Sequence, residues 1–214
     1  MHPLFLEKIL KFLIFYFDDS VKYSKNLENE LNVPIIGKIA KSDANMKSSG
    51  GEVVSTAGVV PTFEEFAGCV YPFLEFTPFH RSYYSVLEAY ALGLIKRLIV
   101  SVPPQHGKSV GATTLLPAYM LGLDPDMRVA IASYSGTLAS KFNRRVQRIL
   151  DSKEYSQFFP DTTIKQGTKP LGYIRTSDEV EIVGYKGELI SVGREGSLTG
   201  NRVDCFILDD LYKD

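Results

Sequence analysis

A chain of 214 residues is long enough for one well-buried domain with a smaller appendage, and too short for a two-domain motor with a separate nuclease. Hydrophobic residues make up 44%, charged residues 23% and aromatics 12%, which excludes a collagen-like, wholly disordered or multi-span membrane protein. The 24 basic and 25 acidic side chains leave a net charge of -1, so affinity for nucleic acid or membrane must reside in a local patch. Cys69 and Cys205 stand far apart with no C-x-x-C spacing, which argues against a zinc site or a disulfide scaffold and fits a reducing compartment.

From Leu4 to Phe17 the chain is rich in Leu, Ile, Phe and Tyr, with Glu7, Lys8 and Lys11 on one face of a helix. The run is too short to span a bilayer, and Asp18-Asp19 stand where a signal-peptide cleavage site would need small residues. A packed or self-associating amphipathic helix is expected, with a membrane-surface helix as the alternative and no stable membrane insertion in either case. Lys41 to Gly58 is polar and Gly/Ser-rich, a linker with little to bury. Residues 1–60 are therefore read as a helical and flexible leader, and 61–214 as the working domain.

Arg97 to Val102 (Arg-Leu-Ile-Val-Ser-Val) has the β-branched apolar character of a buried parallel strand. Pro103-Pro104-Gln105-His106-Gly107-Lys108-Ser109 follows, and Val110 to Leu121 then reads as a helix that Pro117 bends or divides. Strand, tight loop and helix form the context of a phosphate-binding loop. Backbone N–H groups of Gln105, His106 and Gly107 would meet phosphate oxygens, Lys108 would add a movable positive charge, and the Ser109 hydroxyl would ligate magnesium. The first glycine of G-x-x-x-x-G-K-[ST] is absent, its place being held by Val102. What strengthens the reading is Val203 to Asp210, an apolar strand ending in two carboxylates. Asp209 suits the magnesium shell and Asp210 the orientation of an attacking water, against the plainer reading of an aspartate pair capping a turn.

Between these ends, Arg128 to Ser135 reads as another buried strand. A helix from about Thr137 to Leu150 follows, with Leu138, Phe142, Val146 and Ile149 on its apolar face and Lys141, Arg144, Arg145 and Arg148 opposite. Those cations are read as a solvated face in preference to a contact for a phosphate backbone. Tyr173 to Ile190 alternates apolar and polar residues, with Gly184 and Gly187 at turns, and predicts a β-hairpin or short meander. Arg194 and Arg202 flank the glycine-rich loop before the acidic strand. Either is a candidate to supply charge to a transition state, and the sequence does not choose between them.

The order of these segments resembles the N-terminal ATPase domain of the large terminase subunit of tailed bacteriophages, over roughly Phe63 to Asp214. Pro78-Phe79-His80-Arg81, Gly93 to Val100, Pro103 to Ser109, Leu116 to Gly122, Ala132-Ser133-Tyr134-Ser135, Val146 to Leu150 with Tyr155 and Phe159-Pro160, Leu198-Thr199-Gly200 and Asp209-Asp210 carry the likeness in combination. The resemblance implies an α/β, RecA-like phosphate-loop core with a mainly parallel sheet and flanking helices. It implies ATP and magnesium as ligands, and duplex DNA, a portal protein and a small terminase subunit as partners of a homo-oligomeric ring. The place of work would be the host cytoplasm and, transiently, the prohead portal. It puts His80 near the adenine. Gln105 stands where many relatives carry arginine, and Asp210 where glutamate is commoner. Family members continue past the acidic strand into further sheet strands and a nuclease domain, so a truncated or split terminase with an incomplete sheet and an unprotected edge is expected.

Two other classes remain. Phe15 to Ile39 is faintly similar to the linker of polysaccharide chain-length regulators, some of which carry a phosphate-loop tyrosine kinase, but Ala132 to Ser135 offers no carboxylate for such a kinase. The other is a catalytically incomplete nucleotide-binding fragment.

Overall fold

The computed structural model describes residues 60–165, 172–196, 198, 200 and 202–212. The chain divides into two units, residues 1–56 with Ile99–Val102, and Ala57–Leu98 with Pro103–Asp214. Every helix and strand among the described residues lies in the second unit. The helix expected over Leu4–Phe17 and the linker expected over Lys41–Gly58 lie outside the described residues.

The second unit is α/β, with helices around a four-stranded open sheet. Its elements are α1 (Phe63–Val70), α2 (Pro78–Ala91), α3 (Lys108–Val110), α4 (Leu116–Leu123), β1 (Arg128–Ser133), α5 (Gly136–Leu150), α6 (Lys153–Phe158), β2 (Glu179–Glu181), β3 (Glu188–Gly193) and β4 (Cys205–Leu208). A π-helical turn, Gly111–Leu115, joins α3 to α4. The strand order is β2-β3-β1-β4, parallel at β3-β1 and β1-β4 and antiparallel at β2-β3. Parallel strands bring the C-terminal ends of β1, β3 and β4 to one edge, where Ser133, Gly193 and Leu208 lie.

Local chemistry sets the helix starts. Thr62 accepts from the Glu65 N–H at 3.2 Å while Glu65 Oε2 accepts from the Thr62 N–H at 2.9 Å, a reciprocal cap that also holds the Glu65 carboxyl below its usual range. Ser135 and Ser152 cap α5 and α6 through the N–H groups of Leu138 and Tyr155. The 3.6-residue period in α5 separates buried Phe142, Val146 and Ile149 from exposed Lys141, Arg144, Arg145 and Arg148. A buried polar spine on the same helix ties it to the sheet: Asn143 Nδ2 donates to the Leu189 carbonyl and to Ser191 Oγ, and Gln147 Nε2 donates to Asn143 Oδ1.

The helical layer is held by rings. Phe63, Phe66, Tyr84, Tyr119, Tyr155 and Phe159 meet edge-to-face or tilted with centroids 5.2 to 6.1 Å apart. The Tyr119 hydroxyl donates to the Pro61 carbonyl and that of Tyr155 to the Ala118 carbonyl, so neither buried phenol is left unpaired.

The hairpin expected over Tyr173–Ile190 is present as β2 and β3, with Gly184 in the left-handed region at φ 86°. The strand expected over Arg97–Val102 is not, since those residues join no ladder among the described residues. An apolar run demands cover, whereas a strand also needs a neighbouring backbone to accept its hydrogen bonds. At the other edge, β4 exposes Phe206 (44%) and Leu208 (38%). No helix among the described residues is long and apolar enough to cross a membrane.

Candidate functional site

The loop before α3 turns on two left-handed residues, Gln105 at φ 65° and Gly107 at φ 75°. Such a conformation suits glycine and strains glutamine. The other non-glycine residue with positive φ among those described is Asp210, at φ 45°. Both strained positions belong to the segments the sequence marks for phosphate and metal chemistry.

Helix α3 presses against α2. The Tyr83 hydroxyl donates to the Lys108 carbonyl at 2.8 Å, and a Cβ on Gly111 would meet the Tyr83 ring at 2.6 Å, so only glycine allows this approach. Burial first, then the charges of Tyr84 and Asp209, push the Tyr83 phenol far above its ordinary value, which keeps it a permanent donor. Neither Tyr83 nor Gly111 stands out in the sequence, because their pairing depends on two helices meeting.

Lys108 reaches across to the end of β4. Its Nζ lies 3.2 Å from Asp209 Oδ1 and 3.2 Å from Asp210 Oδ1, with a third of the lysine side chain exposed, Asp209 buried at 5% and Asp210 open at 59%. Burial works to lower the Lys108 pKa. The charges and hydrogen bonds of Asp209 and Asp210 outweigh it and hold the ammonium above its ordinary value. The acid pair is positioned by the sheet, since the Asp209 N–H donates to the Ala132 carbonyl at 3.0 Å and the Asp210 carbonyl accepts from the Tyr134 N–H at 3.0 Å.

The remaining candidates divide. His80 Nδ1 bonds Thr77 Oγ1 at 2.8 Å, and its Nε2 lies 3.6 Å from where a Cβ on Gly107 would stand, so His80 adjoins the loop. His106 Nδ1 donates to the Pro104 carbonyl at 2.9 Å, and its ring meets that of Phe79 edge-on. The Ser109 carbonyl accepts the Thr113 hydroxyl, within the first turns of the helix. Arg194 follows β3 at the sheet edge that carries Asp209 and lays its guanidinium 5.2 Å from the Tyr212 ring centroid. Arg202 stands at the opposite end of β4, its Nε 3.3 Å from Asp204 Oδ1, and is not brought into this cluster. The direction of β4 thus sets Arg202 at the end of the strand away from Asp209.

The donor set suits a hard cation better than a soft one. Asp209 Oδ2 is buried without a hydrogen-bond partner among the described residues, and no group of three or more His, Cys, Asp or Glu side chains is found among them. One or two carboxylates fit magnesium, which keeps waters and shares phosphate oxygens, and do not make a structural zinc site. Comparison with family models, curated proteins and solved structures yields no match to this chain.

Proposed function

We propose that this domain is the ATP-hydrolysing module of a phage DNA-packaging motor, a large-terminase ATPase with a RecA-like phosphate-loop core. Duplex DNA is its substrate track, and the portal protein, the small terminase subunit and further copies of the chain in a ring are its partners. It works in the host cytoplasm and transiently at the prohead portal. The single observation that carries the reading is the bridging of Asp209 and Asp210 by Lys108 beside a strained loop. A cation balanced between two acids is free to exchange them for phosphate.

In this reading Lys108 moves from the carboxylates to the β- and γ-phosphates, and the backbone N–H groups of Gln105, His106 and Gly107 hold phosphate oxygens. Ser109 and Asp209 would hold magnesium, which would supply neutralisation of phosphate charge. Asp210, released from Lys108, orients the attacking water in line. His80 sits beside the base and Arg194 faces the charge that develops on the transferred group. ATP hydrolysis by the purified chain, measured with magnesium and with or without duplex DNA, tests the proposal. Asp210→Asn is expected to bind ATP without turnover, and normal turnover in Lys108→Ala overturns the reading.

One observation favours the alternative of a catalytically incomplete nucleotide-binding fragment: Arg97–Val102, the run expected to lead into the loop, joins no ladder among the described residues. That reading expects ATP binding without turnover, unchanged by DNA or portal.

A further inference from the structure

Two buried polar atoms near the C-terminal edge of the sheet have no hydrogen-bond partner among the described residues, Asp209 Oδ2 and Ser133 Oγ. Asp209 is 5% exposed and Ser133 is fully buried. Leaving one such group bare costs about 1–3 kcal/mol, and more for a charge, so two at neighbouring positions call for a common cause.

Register makes them neighbours. Ile131 of β1 pairs with Ile207 of β4, and two residues further along each strand stand Ser133 and Asp209. The Asp209 N–H still bonds the Ala132 carbonyl, so the strands remain side by side at this point. Alternation with a period of two turns both side chains to one face, on backbones about 4.8 Å apart. Neither atom bonds the other, so a third polar group is needed to satisfy both. Lys108 occupies Oδ1 of the same carboxylate, which leaves Oδ2 as the oxygen offered to that group. A carboxylate only accepts hydrogen bonds or binds cations, whereas a serine hydroxyl also accepts from a water.

We propose that Ser133 is a positioning residue for a hydrated divalent cation on Asp209, its Oγ accepting a hydrogen bond from a water of the cation's shell and so fixing the carboxylate oxygen the cation uses. The inference rests on the ATPase reading for the presence of the cation, and it gives a role to a side chain that reading does not use. Supporting groups of this kind typically change metal affinity by about 10–100-fold when removed.

The test is Mn2+ titration of the full chain, followed by the electron paramagnetic resonance signal of free Mn2+, with thermal unfolding and metal-free binding of a fluorescent ATP analogue measured alongside. Ser133→Ala is expected to weaken Mn2+ binding about 10-fold or more with nucleotide binding unchanged, and Ser133→Thr, which keeps the hydroxyl, to restore it. A purely structural hydroxyl predicts something else: Ser133→Ala then unfolds at an equal or higher temperature and binds Mn2+ as tightly as the parent chain, which overturns the inference while the ATPase reading stands. Loss of Mn2+ affinity that Ser133→Thr does not restore also overturns it. Absence of both Mn2+ and nucleotide binding in the parent chain sinks the two together.

Discussion

At the start of β4, Asp204 receives the Arg202 Nε–H on Oδ1 at 3.3 Å and the Arg128 backbone N–H on Oδ2 at 3.1 Å. At its end, Asp209 receives Lys108 on Oδ1 at 3.2 Å and no hydrogen bond from the described residues on Oδ2. Both are aspartates paired with a cation on one short strand. Asp204 is a third exposed, satisfied on both oxygens and held by an exposed arginine. Asp209 is buried, half-satisfied and held by a lysine that is itself shared with Asp210. A buried carboxylate oxygen left bare is costly, and in this the second end of the strand differs from the first.

The sharpest way to break that contrast is to remove each cation in turn. Lys108→Ala is expected to cut ATP turnover about 100-fold or more, as removal of one charge-stabilising donor does in other active sites. It is also expected to cost about 3 kcal/mol in urea unfolding, the low end for a broken buried pair because part of Lys108 faces water. Arg202→Ala is expected to leave turnover within about two-fold and to cost no more than about 1 kcal/mol, as an exposed pair does. Equal effects at the two positions would erase the distinction between the two ends.

A second substitution acts on the approach of α3 to α2 and leaves Asp204 untouched. Gly111→Ala forces a Cβ to within 2.6 Å of the Tyr83 ring, and overpacking of this kind costs about 1–3 kcal/mol. Because Tyr83 also holds the Lys108 carbonyl, nucleotide affinity is expected to fall along with stability. Gly136→Ala has no atom within 4 Å of the new Cβ and serves as the control. Tyr83→Phe removes the hydroxyl alone, and the expected loss in urea unfolding is about 1 kcal/mol.

How much of this was legible in the sequence varies with the kind of signal. β1 and α5 were, because a β-branched run and a 3.6-residue period are local patterns, and the observed bounds differ from the expected ones by one or two residues. The meeting of Lys108 with Asp209 and Asp210 was legible as a motif at each end, although what the three do together is for the turnover assay to decide. Arg97–Val102 misled, because hydrophobicity reports a need for cover and carries no information about which backbone will pair. The separation of Arg194 from Arg202 depends on the direction of two strands, and Ser133 gains interest only from its neighbour across the ladder. Neither is written in a one-dimensional pattern.

The smallest expected effect separates the two ends by pH. Lys108 titrates above its ordinary value of 10.5, because Asp209 and Asp210 together outweigh the burial that would lower it. A group whose folded pKa is raised lends stability that is fully present below its unfolded value and is lost as pH rises through the folded one. The stability difference between the parent chain and Lys108→Met is therefore expected to be flat from pH 7 to about pH 10 and to shrink above it. The same comparison with Arg202→Met should stay flat throughout, since an exposed pair contributes little to stability. The buried tyrosines Tyr84 and Tyr119, pushed up to about 12 by burial, lose stability in the same alkaline window. They do so in every variant, so they cancel in each difference. Urea unfolding at stepped pH reads the result, and a difference for Lys108→Met that stays level beyond pH 11 would mean that the ammonium is not held by the acid pair in solution.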